Sequence, residues 1–222
     1  MKPHLAVCAV LAIAACSQPS PPADAPKAAA APKSTAPAGD YVLDGSHTSI
    51  SFKVNHLGFS NYTAGFDKAE GRLRFDPANP AAMTVEATVD PLSLDLNAPP
   101  AGFHAEMTGP MFFDAVKFPV ITFRSTRIEV TGADTAKVTG DLTLHGVTRP
   151  VILETTFNGG WAPSAIDGAR VGFSARTVLK RSDFGMGAGV PAPGTTLGVS
   201  DAVEVSIETE FSRGTKTAET PG

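Results

Sequence analysis

Ser49-Ile50-Ser51-Phe52-Lys53-Val54-Asn55 and Met83-Thr84-Val85-Glu86-Ala87-Thr88-Val89-Asp90 decide the fold. In both, an apolar side chain alternates with a polar one. Successive side chains of a β-strand point to opposite faces, so this rhythm describes a strand with one dry face and one wet face. Working outward, Leu73 and Phe75 interleave with Arg72, Arg74 and Asp76, and Val138, Leu142 and Leu144 with Lys137, Thr139, Asp141 and Thr143. Val203, Val205 and Ile207 interleave with Glu204, Ser206 and Glu208. Residues 121–126, 151–157 and 171–178 follow the same rhythm less strictly. Between the runs lie turn clusters such as Asp76-Pro77-Ala78-Asn79-Pro80, Thr131-Gly132-Ala133-Asp134 and Asn158-Gly159-Gly160. Short strands separated by such turns build an antiparallel sandwich or barrel. No βαβ alternation argues for a parallel sheet.

One stretch breaks the rhythm. Residues 99–118, from Pro99-Pro100-Ala101-Gly102-Phe103-His104 through Phe112-Phe113-Asp114 to Phe118, are apolar without period two. They are expected to form short helical turns that cover one end of the barrel, stopped by Pro119.

The N-terminus reads as an address. Leu5 to Ala15 is an unbroken apolar run after Lys2, too short to span a bilayer and suited to a signal peptide. Ile13-Ala14-Ala15-Cys16 resembles the lipobox of bacterial lipoproteins, which implies acylation at Cys16, palmitate included. Ser17 after the Cys favours the outer membrane over inner-membrane retention by resemblance to lipoprotein sorting rules. Pro19, Pro21, Pro22, Pro26, Pro32 and Pro37 then fall among Ala and Ser, a composition that cannot bury a core and reads as a tether. The expected organisation is a signal peptide over 1–15, a lipidated Cys with its tether over 16–39, the β-domain over 40–213 and a disordered tail over 214–222. The β-domain is about one domain's length.

Composition excludes several chemistries. The formal charge is −4 and 18% of residues are charged, so the clustered Lys and Arg of a nucleic-acid site are not expected. Both cysteines, Cys8 and Cys16, precede the domain, which leaves it without a disulfide, thiolate nucleophile or Cys-ligated metal. His47, His56, His104 and His145 are not spaced as metal pairs, and no metal site is expected. Asp44-Gly45-Ser46-His47 reads as a structural turn rather than part of a catalytic triad, because no Gly-x-Ser-x-Gly elbow accompanies it. Arg181, in Arg181-Ser182-Asp183-Phe184-Gly185, has two readings: a grip on a phosphate or quinone carbonyl, or an Arg–Asp pair pinning a barrel corner.

These segments together resemble the YceI-like family of periplasmic lipid-binding proteins. The resemblance is carried by Asp44-Gly45-Ser46-His47-Thr48-Ser49-Ile50-Ser51-Phe52, Asn55-His56-Leu57-Gly58 and Phe112-Phe113-Asp114. It continues through Phe118-Pro119-Val120-Ile121-Thr122-Phe123-Arg124-Ser125, Gly140-Asp141-Leu142-Thr143-Leu144-His145-Gly146-Val147-Thr148-Arg149 and Arg181-Ser182-Asp183-Phe184-Gly185-Met186. It implies an all-β fold, an extended antiparallel lipocalin-like barrel of about eight strands with a short helical insertion. It also implies a cavity for a polyisoprenoid chain or a fatty amide. Where the family usually carries an Arg-Asp-His-Leu-like stretch, this chain has Ala101-Gly102-Phe103-His104-Ala105-Glu106-Met107, which keeps the His and lacks the Arg-Asp pair.

The cavity residues expected from this reading are Phe52, Val54, Leu73, Phe75, Val85, Phe112, Phe123, Leu142, Leu144 and Phe173, with His104 and Arg181 as polar contacts. The Phe side chains can line a tunnel or fill a dry core, and sequence leaves both open. The expected function is a non-enzymatic carrier or sequestering lipoprotein facing the periplasm. It requires no cofactor, and a polyprenyl lipid or quinone is its expected bound molecule. Its expected partners are that hydrophobic ligand and, through the N-terminal anchor, the membrane; nucleic acid is not among them, and a homodimer stays open. Two alternatives remain, a quinone-linked electron-transport or stress accessory protein and a structural β-module acting through its surface.

Overall fold

The alternating runs become strands whose dry faces point inward. The computed structural model describes residues 34–165 and 167–214. The signal peptide, Cys16, the tether up to residue 33 and the tail from 215 lie outside the described residues. Eleven strands form a single antiparallel sheet: β1 (Gly39–Leu43), β2 (Ser49–His56), β3 (Ser60–Phe66), β4 (Ala69–Phe75), β5 (Thr84–Val89), β6 (Leu94–Leu96), β7 (Ile121–Val130), β8 (Thr135–Leu144), β9 (Val147–Trp161), β10 (Ala169–Lys180) and β11 (Val199–Arg213). Among the described residues one α-helix, α1, covers Phe103–Thr108.

Pairing shows that six of the strands are halves of three bent staves. β11 holds β1 through Val42↔Ser212 on one half of its length and β2 through Ile50↔Ile207 on the other. In the same way β1 and β2 pair with β4 and β3, which pair in turn with β5 and β6. Counting each bent pair as one stave gives a closed eight-strand antiparallel barrel, sealed where β1 meets β11. Barrels of this size enclose one small ligand.

The three bends sit side by side. Asp44 caps a 3-10 turn over Gly45–His47, Asp90 caps another over Pro91–Ser93, and Asp67-Lys68 joins β3 to β4. Their backbones bond across the row, Asp67 N to Ser93 O at 3.0 Å and Asp90 N to Lys68 O at 3.1 Å. The second and third staves therefore turn together, while the first bend is held to β11 by Asp44 N donating to Glu210 O at 2.8 Å.

Residues before 40 also touch the barrel. Thr35 N donates to Gly160 O, the Tyr41 hydroxyl donates to Pro37 O at 2.7 Å, and Ala36 is buried against Tyr41, Leu73 and Val171. The last residues of the Pro/Ala-rich stretch thus pack on the barrel. Proline lacks a donor but keeps a carbonyl acceptor, and alanine buries without entropy cost.

Candidate functional site

Inward parity builds the site. On β10, Val171, Phe173, Ala175, Thr177, Leu179 and then Arg181 follow one another at every second position. All but Val171 line the cavity, while Val171 is buried in the core at one end. The cavity measures about 1020 Å³ and runs from Pro99 and Phe103 at one end to Pro77 and Asp134 at the other. All ten apolar positions expected from sequence, Phe52, Val54, Leu73, Phe75, Val85, Phe112, Phe123, Leu142, Leu144 and Phe173, stand on its wall. Four wall hydroxyls are engaged with backbone: Thr155 donates to Leu153 O at 3.2 Å, Thr209 to Phe173 O at 3.4 Å, Thr48 to Asp44 O at 2.8 Å and Tyr62 to Asn97 O at 3.3 Å. The wall consequently offers dispersion and burial rather than directed polar contacts.

The two ends differ. At the hairpin end, Tyr41, Phe75, Phe157, Phe173 and Phe211 form a chain of rings with successive centroids 5.7, 5.9, 5.2 and 6.3 Å apart. Tyr41, Phe75, Val171 and Phe211 are buried in this cluster, and burial pushes the Tyr41 hydroxyl above its ordinary pKa. Phe75 and Phe173 thus serve both readings, filling a core and facing the cavity.

The loop end is assembled from irregular segments. Phe103 and Met107 of α1 pack with Phe113 against Ala64, Leu94 and Leu96, and Phe113 meets Phe66 at 5.5 Å, edge to face. The β8–β9 turn is His145-Gly146, both at positive φ, as a two-residue hairpin of this hand requires. Phe118 lies edge-on to His145 with ring centroids 4.9 Å apart, and His145 Nδ1 stands 3.1 Å from Phe184 O.

Arg181 is the residue that organises this end. Its Nε donates to Ser200 O at 3.0 Å, one terminal nitrogen to Met186 O and Ala188 O at 2.7 Å each, and the other to Val199 O at 2.8 Å. Burial pulls its pKa below the usual value while the charge of Asp201 works the other way. The corner is pinned, but by four backbone carbonyls rather than by an Asp–Arg pair. Asp201 instead receives the Ser182 N–H and hydroxyl, at 2.8 Å each. Arg181 lines the cavity with most of its donors already engaged. His104 is placed differently from the expectation: it is exposed on α1 and is not on the cavity wall. The helix turns Phe103 and Met107 inward, so its neighbour faces water.

Asp44, Ser46 and His47 do come together, outside the cavity wall. The Ser46 hydroxyl donates to Asp44 Oδ1 at 2.7 Å, and His47 Nδ1 stands 3.1 Å from Oδ2. Arg170 reaches the same Oδ2 at 2.8 Å, Glu210 at 2.9 Å and Asp167. The Ser46 hydroxyl first, with the Arg170 guanidinium and His47, holds the Asp44 carboxyl well below the usual carboxylate range despite its burial. This cluster locks the first bend to β10 and β11. Sequence could not find it, because Asp44 and Arg170 lie 126 positions apart. Among the described residues, no cluster of three or more His, Cys, Asp or Glu is placed to hold a metal ion.

A closed eight-stave antiparallel barrel around a long apolar cavity defines a lipocalin-like protein. The YceI-like domain family matches residues 41–211, and the chain belongs to that family. A UPF0312 protein of Vibrio cholerae is 39% identical over 175 residues, which cover 78% of this chain and 87% of the relative. The crystal structure of Burkholderia cenocepacia BcnA has a TM-score of 0.63 at 27% identity and covers 76% of this chain and 98% of its own. A polyisoprenoid binding domain from Saccharophagus degradans, implicated in plant cell wall breakdown, shares the fold with a TM-score of 0.59 at 17% identity. It covers 78% of this chain and 98% of its own.

Proposed function

We propose that this protein holds a long apolar lipid, an isoprenoid or fatty-amide-like chain, along the axis of the barrel, and carries or sequesters it. The observation that carries the reading is the cavity of about 1020 Å³, which extends between the two ends behind an almost wholly apolar wall. Each square ångström of lipid surface taken from water contributes about 25 cal/mol, so a long chain binds tightly with few polar contacts. The Saccharophagus degradans neighbour supports the choice of an isoprenoid, being described as a polyisoprenoid binding domain. Arg181 is the one Lys or Arg among the described residues of the wall, and its carbonyl partners leave it little capacity for a phosphate. The head group that suits this wall is therefore uncharged, a quinone included.

The binding needs no cofactor and breaks no bond. The lipobox at Cys16 and the Pro/Ala-rich segment after it support a lipid-anchored protein of the cell envelope, on the outer membrane and facing the periplasm. Ala175→Phe tests the cavity directly by putting a ring where the wall carries a methyl group. Uptake of a fluorescent prenyl lipid is expected to fall at least about tenfold, the effect of ~1.4 kcal/mol, with no loss of thermal stability. Unchanged uptake by a folded variant would place binding elsewhere.

A further inference from the structure

The loop end carries exposed apolar side chains in a pattern the barrel itself does not need. Val116, Phe59, Leu197 and Met111 are 92%, 87%, 80% and 65% exposed, more than the other large apolar residues at the described surface. All four belong to one end. Phe59 lies in the β2–β3 turn, Met111 and Val116 in the segment between α1 and β7, and Leu197 in the β10–β11 connection. The turn and the connection touch: Leu57 N donates to Gly198 O at 2.9 Å, and Gly58 packs against the Thr196 side chain.

Their exposure is imposed by ordered backbone. Asp114 N donates to Gly109 O, Ala115 N to Thr108 O, Lys117 N to Asp114 O and Phe118 N to Asp114 O, all within 2.9 Å. That small hydrogen-bonded unit holds Met111 and Val116 out into water. Isolated exposed apolar residues are ordinary on any surface, but a set of them around one opening marks a site of contact. The segments that carry these four residues hold few charges. Residues 57–59 and 185–198 contain no charged side chain, and residues 97–120 hold only Glu106, Asp114 and Lys117 apart from His104.

We infer that this end of the barrel docks on the surface of a lipid bilayer, with Phe59, Met111, Val116 and Leu197 entering its interfacial region. The inference rests on the lipid-binding reading for its purpose, since these segments adjoin the end of the cavity lined by Pro99, Pro100, Phe103 and Phe112, which the inference takes as the mouth. A long apolar chain leaving that mouth into water would expose its whole surface, whereas a mouth seated on a bilayer passes it from one apolar medium to another. With few charges on these segments, seating them at the interface strips water from few ions. This favours a bilayer over a protein partner, whose interfaces are rimmed by polar and charged groups.

The test uses the chain from residue 16 onward carrying Cys16→Ser, so that neither the signal peptide nor an acyl anchor contributes, with uncharged phosphatidylcholine vesicles. The protein is expected to float with the vesicles. Phe59→Ser with Leu197→Ser, both exposed and harmless to folding, is expected to reduce partitioning at least about tenfold, from the apolar area removed. The same pair should slow loading of a fluorescent prenyl lipid from vesicles while leaving its affinity unchanged when the lipid is added from ethanol. Equal flotation of variant and parent, or none by the parent, overturns docking. A dimer lost in the variant without any flotation assigns the rim to contact between two copies and overturns it too. Flotation without lipid uptake by either route leaves docking intact and sinks the lipid-binding reading instead.

Discussion

The hairpin end and the loop end of this barrel are held by different physics. Rings close the first: Tyr41, Phe75, Phe157, Phe173 and Phe211 stack in sequence, with buried Ala36 and Val171 beside them. Hydrogen bonds from one guanidinium close the second, where Arg181 gathers the carbonyls of Met186, Ala188, Val199 and Ser200. Dispersion and burial scale with packed area, and removing a ring leaves a void. A pinned loop can open locally without emptying a core. Under the proposed lipid-binding role, the contrast puts stability at the hairpin end and access at the loop end.

The largest expected effect breaks the packed end. Phe75→Ala is expected to cost about 4 kcal/mol of stability in chemical denaturation, because its ring is buried between Tyr41 and Phe157. Phe103→Ala, in the half-buried helix at the other end, is expected to cost under ~2 kcal/mol. Equal costs would erase the distinction.

The second test concerns the joint between the ends. Asp44 ties the first bend to Arg170, and truncation to Ala takes one of three carboxylates from a half-buried guanidinium and the cap from the Gly45–His47 turn, at about 3 kcal/mol. The sign of the pH dependence follows. The folded-state pKa of Asp44 lies below its ordinary value of 3.8, so its stabilisation is fully present above that value and is lost as pH falls through the folded-state value. Acid unfolding of the parent should therefore steepen below about pH 4, and Asp44→Ala should flatten that limb.

The smallest effect sharpens the comparison. Arg181→Met keeps the bulk but frees four carbonyls, and should cost about 2 kcal/mol. Hydrogen exchange should locate the loss, with faster exchange over residues 185–199 and unchanged protection around Tyr41. Uniform loss of protection would mean that the two ends unfold as one.

Much of this was legible in the sequence, for a definite reason. A strand with one dry face writes its parity into every second residue, so nine of the ten expected wall positions lie on strands and follow from that parity, while Phe112 sits in the stretch without it. The Phe-rich stretch at 99–118 declared itself by lacking that parity, and its helical turn at Phe103–Thr108 followed. His104 was misplaced because six residues give too little period to fix which way a helix faces. The aligned bends at Asp44, Asp67 and Asp90 escaped notice because a kinked stave keeps its alternation on either side of the kink. The Arg181 carbonyl cluster was invisible in a different way. Its acceptors are backbone atoms, which carry no residue identity.

The most direct measurement of the central claim is native mass spectrometry of the protein purified without detergent, followed by solvent extraction of what it carries. A stoichiometric apolar molecule with an isoprenoid or fatty-amide chain and an uncharged head is expected. A clean unliganded mass that takes up no added prenyl lipid would contradict it, and would leave a β-module that acts through its surface.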